Sequence, residues 1–434
     1  MSAARWGRRD LLRLGVAAGG VASSGWGREA RAGAPASSRP RYYVLINLNG
    51  GFDSVYSTDP KRRAEVEAWV DVPYREDAIL TRGELQAGPH LAPLLPFAAR
   101  MAVLNGVQVG TANHDTGLIQ AARLRTGVKV RTPTILDLIT RHRDGQPLGC
   151  VSVGAVAGFA YSPGWFGTMP AGLLPPAAGS GVREAEDNLL DSLQATEPDD
   201  LKRLARALRA QGGRLRAGAT ATGDERAVTA GHLEQVARLC EYLPACKPFE
   251  VERWSRDKDQ QEVAVHLQRA LWVFENDVAC GVQLGVALRW DTHTDNVVRQ
   301  AEASGAFMPM FARFLAALEA RRSAGGRLSE QTAVVVGSEL GRFPRLNSNR
   351  GKDHLSQTPY LFFGPAFRTG GAAFGRTGAS MEGLRVSRKT GAPGGADASV
   401  PTLDDVGATL LTVAGLNPGP YGYDGKALEF LVAR

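Results

Sequence analysis

Short apolar runs, each stopped by a polar or glycine-rich loop, recur along the chain. Tyr42-Tyr43-Val44-Leu45-Ile46-Asn47-Leu48 is rich in β-formers and halts at Asn49-Gly50-Gly51, the pattern of a buried strand closing in a tight loop. Residues 101–104, 148–153, 279–288, 332–337 and 359–364 repeat that pattern. Charged, leucine-spaced stretches at 184–210, 227–242 and 257–274 predict helices, as do 296–322 and 402–414, the last with Thr402 as its cap. Residues 155–185 and 368–400 are rich in Gly and predict irregular loops. Strands alternating with helices predict an α/β domain over residues 42–434. Its mostly parallel central sheet is covered by helices on both faces, with 186–276 as a helical insertion or cap.

The N-terminus reads differently. Arg8-Arg9-Asp10-Leu11-Leu12 follows a twin-arginine pattern, a mildly apolar stretch runs from Leu14 to Trp26, and Ala30-Arg31-Ala32 offers a cleavage site. This predicts a twin-arginine signal peptide over residues 1–32 and a linker over 33–41. The twin-arginine translocase is then a partner, and the destination is the periplasm or the extracellular space. Residues 1–32 hold six arginines against Asp10 and Glu29, hence +4 of the formal +7, so the mature chain is left near +3. That is no nucleic-acid footprint, which needs a clustered basic face. No later segment approaches the ~20 consecutive apolar residues of a membrane helix, so no span is expected in the mature chain. With 44% hydrophobic residues, the chain can bury a substantial core. Cys240 and Cys246 can pair across a turn, a question left open, while Cys150 and Cys280 sit in apolar runs and read as buried thiols.

Open α/β sheets form their sites outside the carboxyl ends of the strands. Those ends carry Asp53, then Asn113-His114-Asp115-Thr116, then Asp291-Thr292-His293, then Ser338-Glu339-Leu340-Gly341-Arg342, and Lys352-Asp353-His354 precedes the 359–364 strand. Carboxylate and imidazole without thiolate is a ligand set for zinc, manganese or magnesium. Asp291 and His293, two apart, point to one side of an extended segment. Lone strand-end aspartates usually cap helices or close turns, and His90, His142, His232 and His266 read as packed or solvated. Convergence of His114, His293 and His354 on strand-end loops favours a metal site.

In their order, these motifs resemble the exported domain-of-unknown-function family 1501, of the alkaline-phosphatase and sulfatase superfamily, over about residues 42–430. The resemblance implies one or two divalent ions on Asp53, Asp291, His293, Glu339 and His354. It implies catalytic roles for His114, for Arg342 on an anionic oxygen, and for Thr116 as the hydroxyl nearest a nucleophile position. Three functions follow as expectations. The first is an exported metal-dependent hydrolase of phosphate or sulfate esters, acting on a small anionic ester or glycan. The second is a degenerate envelope protein that binds a metal or anion without turnover. The third is a structural or assembly protein of the cell envelope.

Overall fold

The apolar runs become the strands of one sheet. The computed structural model describes residues 39–128, 132–141, 143, 145–154, 193–218 and 225–433. The expected signal segment 1–32, most of the expected linker, the stretch 155–185 read as a loop, His142 and the side chain of His232 lie outside the described residues. The sheet strands are β1 (Tyr42–Leu48), β2 (Met101–Gln108), β3 (Leu148–Gly154), β4 (Ala279–Val286), β5 (Thr332–Gly337), β6 (Gln357–Phe363) and β7 (Ala372–Phe374). Their order across the sheet is β7-β2-β6-β5-β1-β4-β3. All neighbours pair in parallel except β6, which is antiparallel to both β5 and β2. A parallel neighbour needs a crossover element. Between β5 and β6 there is only a two-stranded ribbon, Gly341–Arg342 against His354–Leu355, so the chain turns straight back.

Central burial explains why β1 reads as a continuous apolar run rather than an alternating one. Tyr42, Val44, Ile46 and Leu48 enter one core cluster, and Tyr43 and Leu45 enter the other. Among the described residues the α-helices are α1 (His114–Arg123), α2 (Ile135–Thr140), α3 (Pro198–Ala217), α4 (Glu225–Tyr242), α5 (Lys258–Glu275), α6 (Asn296–Ala320) and α7 (Leu403–Val413). The apolar sides of α3, α4, α5 and α6 contribute to the first cluster; α1, α2 and α7 contribute to the second. Of the 193–276 interval, α5 lies on β3, β4 and α6, while α3 and α4 pack chiefly on each other. No described residue of that interval enters the sheet.

Local chemistry sets the boundaries. Thr402 caps α7 as expected: its side chain accepts from Asp405 N–H, and Asp405 reaches back to Thr402 N–H at 2.9 Å, a reciprocal capping box. Within the stretch expected to be helical from 184 to 210, described residues 193–194 are helical and residues 195–197 interrupt. α3 starts afresh at Pro198, a residue that suits the first helical position, and runs on to Ala217. Three of these elements escaped the pattern. α1 opens within the polar Asn113-His114-Asp115-Thr116 segment and carries no clear apolar period. β7 falls inside the stretch read as a loop and is only an edge strand; α2 is short, wholly buried and capped by Thr134. All four cysteines are free.

The first core cluster is tied to the sheet through an aromatic row on α6. Fully buried Phe311 stacks on Phe307 at 5.4 Å between centroids and meets Phe363 of β6 edge-on at 5.3 Å. Phe311→Ala should lower unfolding free energy by about 3–5 kcal/mol. The check is a shifted urea midpoint at unchanged slope.

Candidate metal centre

Every functional segment meets at the carboxyl edge of the parallel strands, the place sites form in such sheets. Asp291 and His293 follow β4, Glu339 follows β5, and His114 opens α1 after β2. His354 joins them because β6 is antiparallel and therefore begins at this edge. Close backbone approach holds the loops in place. Gly50, at φ 126°, lies against the Asp291 backbone, and Gly351 lies against the His293 carbonyl; a Cβ at either position would collide.

Four groups converge. Ligand atoms of His114, Asp291, His293 and His354 all lie within 4.8 Å of one another. Asp291 Oδ1 is at the centre, 3.2 Å from His293 Nε2, 3.4 Å from His114 Nε2 and 3.5 Å from His354 Nε2. Tetrahedral zinc with bonds of ~2.0–2.1 Å separates its ligands by about 3.3 Å. The spacing therefore suits one ion, and three imidazoles with one carboxylate form a set that zinc and related divalent metals accept.

The far nitrogens of the rings explain why the near ones face inward. His114 Nδ1 lies 2.8 Å from Glu339 Oε1, and His354 Nδ1 donates to the Ala112 carbonyl at 2.7 Å. A carbonyl only accepts, so His354 carries its proton on Nδ1 and offers a lone pair at Nε2. His293 Nε2 then donates to His354 Nε2 at 2.8 Å. Binding an ion would move that proton to His293 Nδ1, which faces Asp353 Oδ1 at 3.6 Å. Backbone and carboxylate partners behind ligating imidazoles are the usual support of metal sites. His114 Nε2 is buried without a hydrogen-bond partner, since Asp291 at 3.4 Å is too poorly aimed to serve. An orphaned imidazole nitrogen aimed at a carboxylate and two further imidazoles fits a cation.

Glu339 stands behind this group rather than in it. Only 1% exposed, it accepts from Gly50 N–H at 2.7 Å, Asn47 Nδ2 at 2.9 Å and Ser338 Oγ at 3.1 Å besides facing His114. Arg342 is also buried, its guanidinium 2.6 Å from Asp291 Oδ1 and donating to the carbonyls of Lys352, at 3.0 Å, and Gly50. It orients Asp291 from behind. Asp53 lies apart, 1% exposed and paired with Lys352 Nζ at 2.8 Å. Thr116 is exposed on the first turn of α1, where its backbone N–H donates to the capping Asn113 side chain at 3.0 Å. Sequence reasoning assigned no role to Asn47 or Lys352. Asn47, the one polar residue in the β1 run, was a usable signal; a Lys352–Asp53 pair spanning the chain offered none.

Charge follows the same geometry. The carboxylates of Asp291 first and then Glu339, facing the two ring nitrogens, favour the charged His114 ring and raise its pKa to about 9 against some burial cost. For Asp291, burial pushes the pKa up, but His114 and Arg342 outweigh it and keep the carboxyl well below its usual range. Burial holds His354 below the usual imidazole value, with the nearby His114 and Arg342 charges acting in the same direction against the Ala112 carbonyl. The raised His114 value stabilises the metal-free fold below the unfolded pKa of ~6.5, and that contribution is lost as pH rises through about 9. Ion binding has the opposite sign, because the ion must displace this proton. Zinc affinity should rise about tenfold per pH unit up to roughly pH 9 and then level off. Calorimetry in buffers of different ionisation enthalpy should show about one proton released per ion at pH 7.5. A pH-independent affinity would contradict this reading.

Comparison with known proteins places the fold in company. No curated protein matches the chain. The chain is similar to the lipoteichoic acid synthase LtaP from Listeria monocytogenes, with 8% identity and a TM-score of 0.44 over 97% of this chain and 82% of that one. It is similar to a protein in the alkaline phosphatase superfamily from Vibrio parahaemolyticus, with 11% identity and a TM-score of 0.37 over 99% and 80%. It is also similar to BT1596, a 2-O GAG sulfatase, with 13% identity and a TM-score of 0.35 over 90% and 73%. The model of the protein of unknown function family DUF1501 matches residues 41–381, and the chain belongs to that family.

Proposed function

We propose that the protein is an exported, metal-dependent hydrolase of phosphate or sulfate esters. The observation that carries this is the convergence of three imidazole Nε2 atoms and Asp291 Oδ1 at the open edge of the sheet. His114, Asp291, His293 and His354 would hold the ion, which supplies polarisation of an ester oxygen and a lowered pKa for water. Glu339 fixes the His114 ring so that Nε2 faces the ion, and Arg342 keeps Asp291 ionised and aimed. Asp291 and His293 are each about half exposed, so a small anionic ester or an anionic glycan can reach the centre. A water or the exposed Thr116 hydroxyl would attack the phosphorus or sulfur atom, losing its proton and displacing the ester's alcohol, which takes up a proton; a Thr116 ester would then be cleaved by water.

A second reading, metal or anion binding without turnover, draws on one observation. Superfamily hydrolases of the kind this chain resembles place a hydroxyl or thiol nucleophile at a helix start. Here Asn113 holds that place, its amide capping α1, and an amide forms no phosphoenzyme. Activity decides between the two. Purified protein should hydrolyse p-nitrophenyl phosphate or sulfate when supplied with zinc, manganese or magnesium, and His293→Ala or a chelator should abolish turnover. Metal bound tightly with no turnover on either ester would favour the second reading, and no metal binding would sink the first and leave only anion binding for the second.

Export is read from the arginine pair Arg8-Arg9 and the apolar stretch that follows it. No helix among the described residues is long and apolar enough to cross a membrane. Changing Arg8 and Arg9 together to Lys should leave full-length precursor in the cytoplasm on fractionation. Continued processing and release of the double variant would refute the twin-arginine route.

A further inference from the structure

We propose that the buried Asp53–Lys352 pair permanently occupies, with a covalently attached ammonium, the place of a second cation, so that the protein takes one divalent ion per chain. This rests on the metal reading above. Asp53 is the one strand-end aspartate of the expected ligand set that stays out of the four-group cluster. Three of its acceptor positions are taken. Oδ2 receives Lys352 Nζ at 2.8 Å and Asn296 Nδ2 at 3.0 Å, and Oδ1 receives Val55 N–H at 3.2 Å. Both side chains are enclosed, Lys352 at 0% and Asp53 at 1% exposure. The ammonium also sits 4.6 Å from the centre of the Tyr56 ring and 3.9 Å from Asp71 Oδ2.

A divalent ion at Asp53 would have to expel that ammonium or lie beside it. In a buried site like-charge repulsion is weakly screened, and an expelled, unpaired lysine has no solvent to enter. The lysine is held by more than its charge. Its backbone N–H donates to the Thr292 carbonyl at 2.9 Å, and its carbonyl accepts from Arg342 Nη1 at 3.0 Å. Lys352 thus pins the chain between the two ligands of the Asp291-Thr292-His293 segment and the arginine that aims Asp291. The main chain positions the first ion's ligands, while the side chain neutralises the carboxylate that a second ion would need.

The test is a count. Untagged full-length mature protein is stripped with chelator, dialysed against excess zinc, and measured for zinc per chain by elemental analysis. Wild type is expected to hold one ion. The double variant Asp53→Asn/Lys352→Met removes both charges while keeping the main-chain bonds of residue 352. It too should hold one ion, with a dissociation constant within about threefold of wild type. Two ions in the wild type, or a loss of affinity of about tenfold or more in a double variant that melts as a folded protein, would overturn the proposal. If the double variant does not fold, the wild-type count alone decides. Zero ions would remove the metal reading itself and this inference with it, whereas two ions remove only this inference.

Discussion

A carboxylate buried at the edge of a sheet is tolerable only when donors surround it, and Glu339 is so surrounded. Its oxygens draw the β1 loop through Gly50 N–H, β1 itself through Asn47, the end of β5 through Ser338, and α1 through His114. Removing any one donor leaves part of a buried charge uncompensated, which costs more than the lost bond alone. The same arrangement fixes the His114 proton on Nδ1 and so decides which nitrogen faces the centre. Packing, helix placement and ligand chemistry at this edge share a single electrostatic constraint.

The remaining charges divide into two compartments. Asp53 and Lys352 neutralise one another behind the loops. Asp291 Oδ1 is met by Arg342 and by three imidazoles. His354 is disfavoured as a cation by burial and by the charges near it. With His114 charged, His114 and Arg342 balance Asp291 and Glu339, so a divalent ion would enter as the His114 proton leaves.

The sheet was legible in the sequence because its central strands are buried on both faces and therefore read as unbroken apolar runs. β1 and β5 match their expected spans. β7 and α2 were not legible, since three edge residues and a six-residue buried helix carry too little period to distinguish them from loop. For the site, the rule that chemistry gathers at strand ends named Asp291, His293 and His354, whose ligand atoms lie close to one another and to that of His114. It could not order the layers. His114 and Glu339 are both polar residues beyond strand ends, and only the 2.8 Å bond between them shows which faces inward. Asp53 obeys the strand-end rule equally well, and its partner lies 299 residues away.

That difficulty has a physical origin. Residue type reports what a side chain can do, and strand-end position reports where it is, but the role at a charged site depends on how neighbouring charges are paired. Asp53 and Asp291 are the same residue type at the same edge of the same sheet. The first is enclosed and closed off by a lysine; the second is half exposed, and the Oδ1 held by an arginine is the same oxygen that faces the three imidazoles. The arginine fork, spread over that oxygen and two carbonyls, leaves Asp291 reachable from solvent, whereas the Lys352 ammonium sits against Asp53 in an enclosed pocket. The choice of cation behind each aspartate therefore separates a closed structural pair from an open ligand.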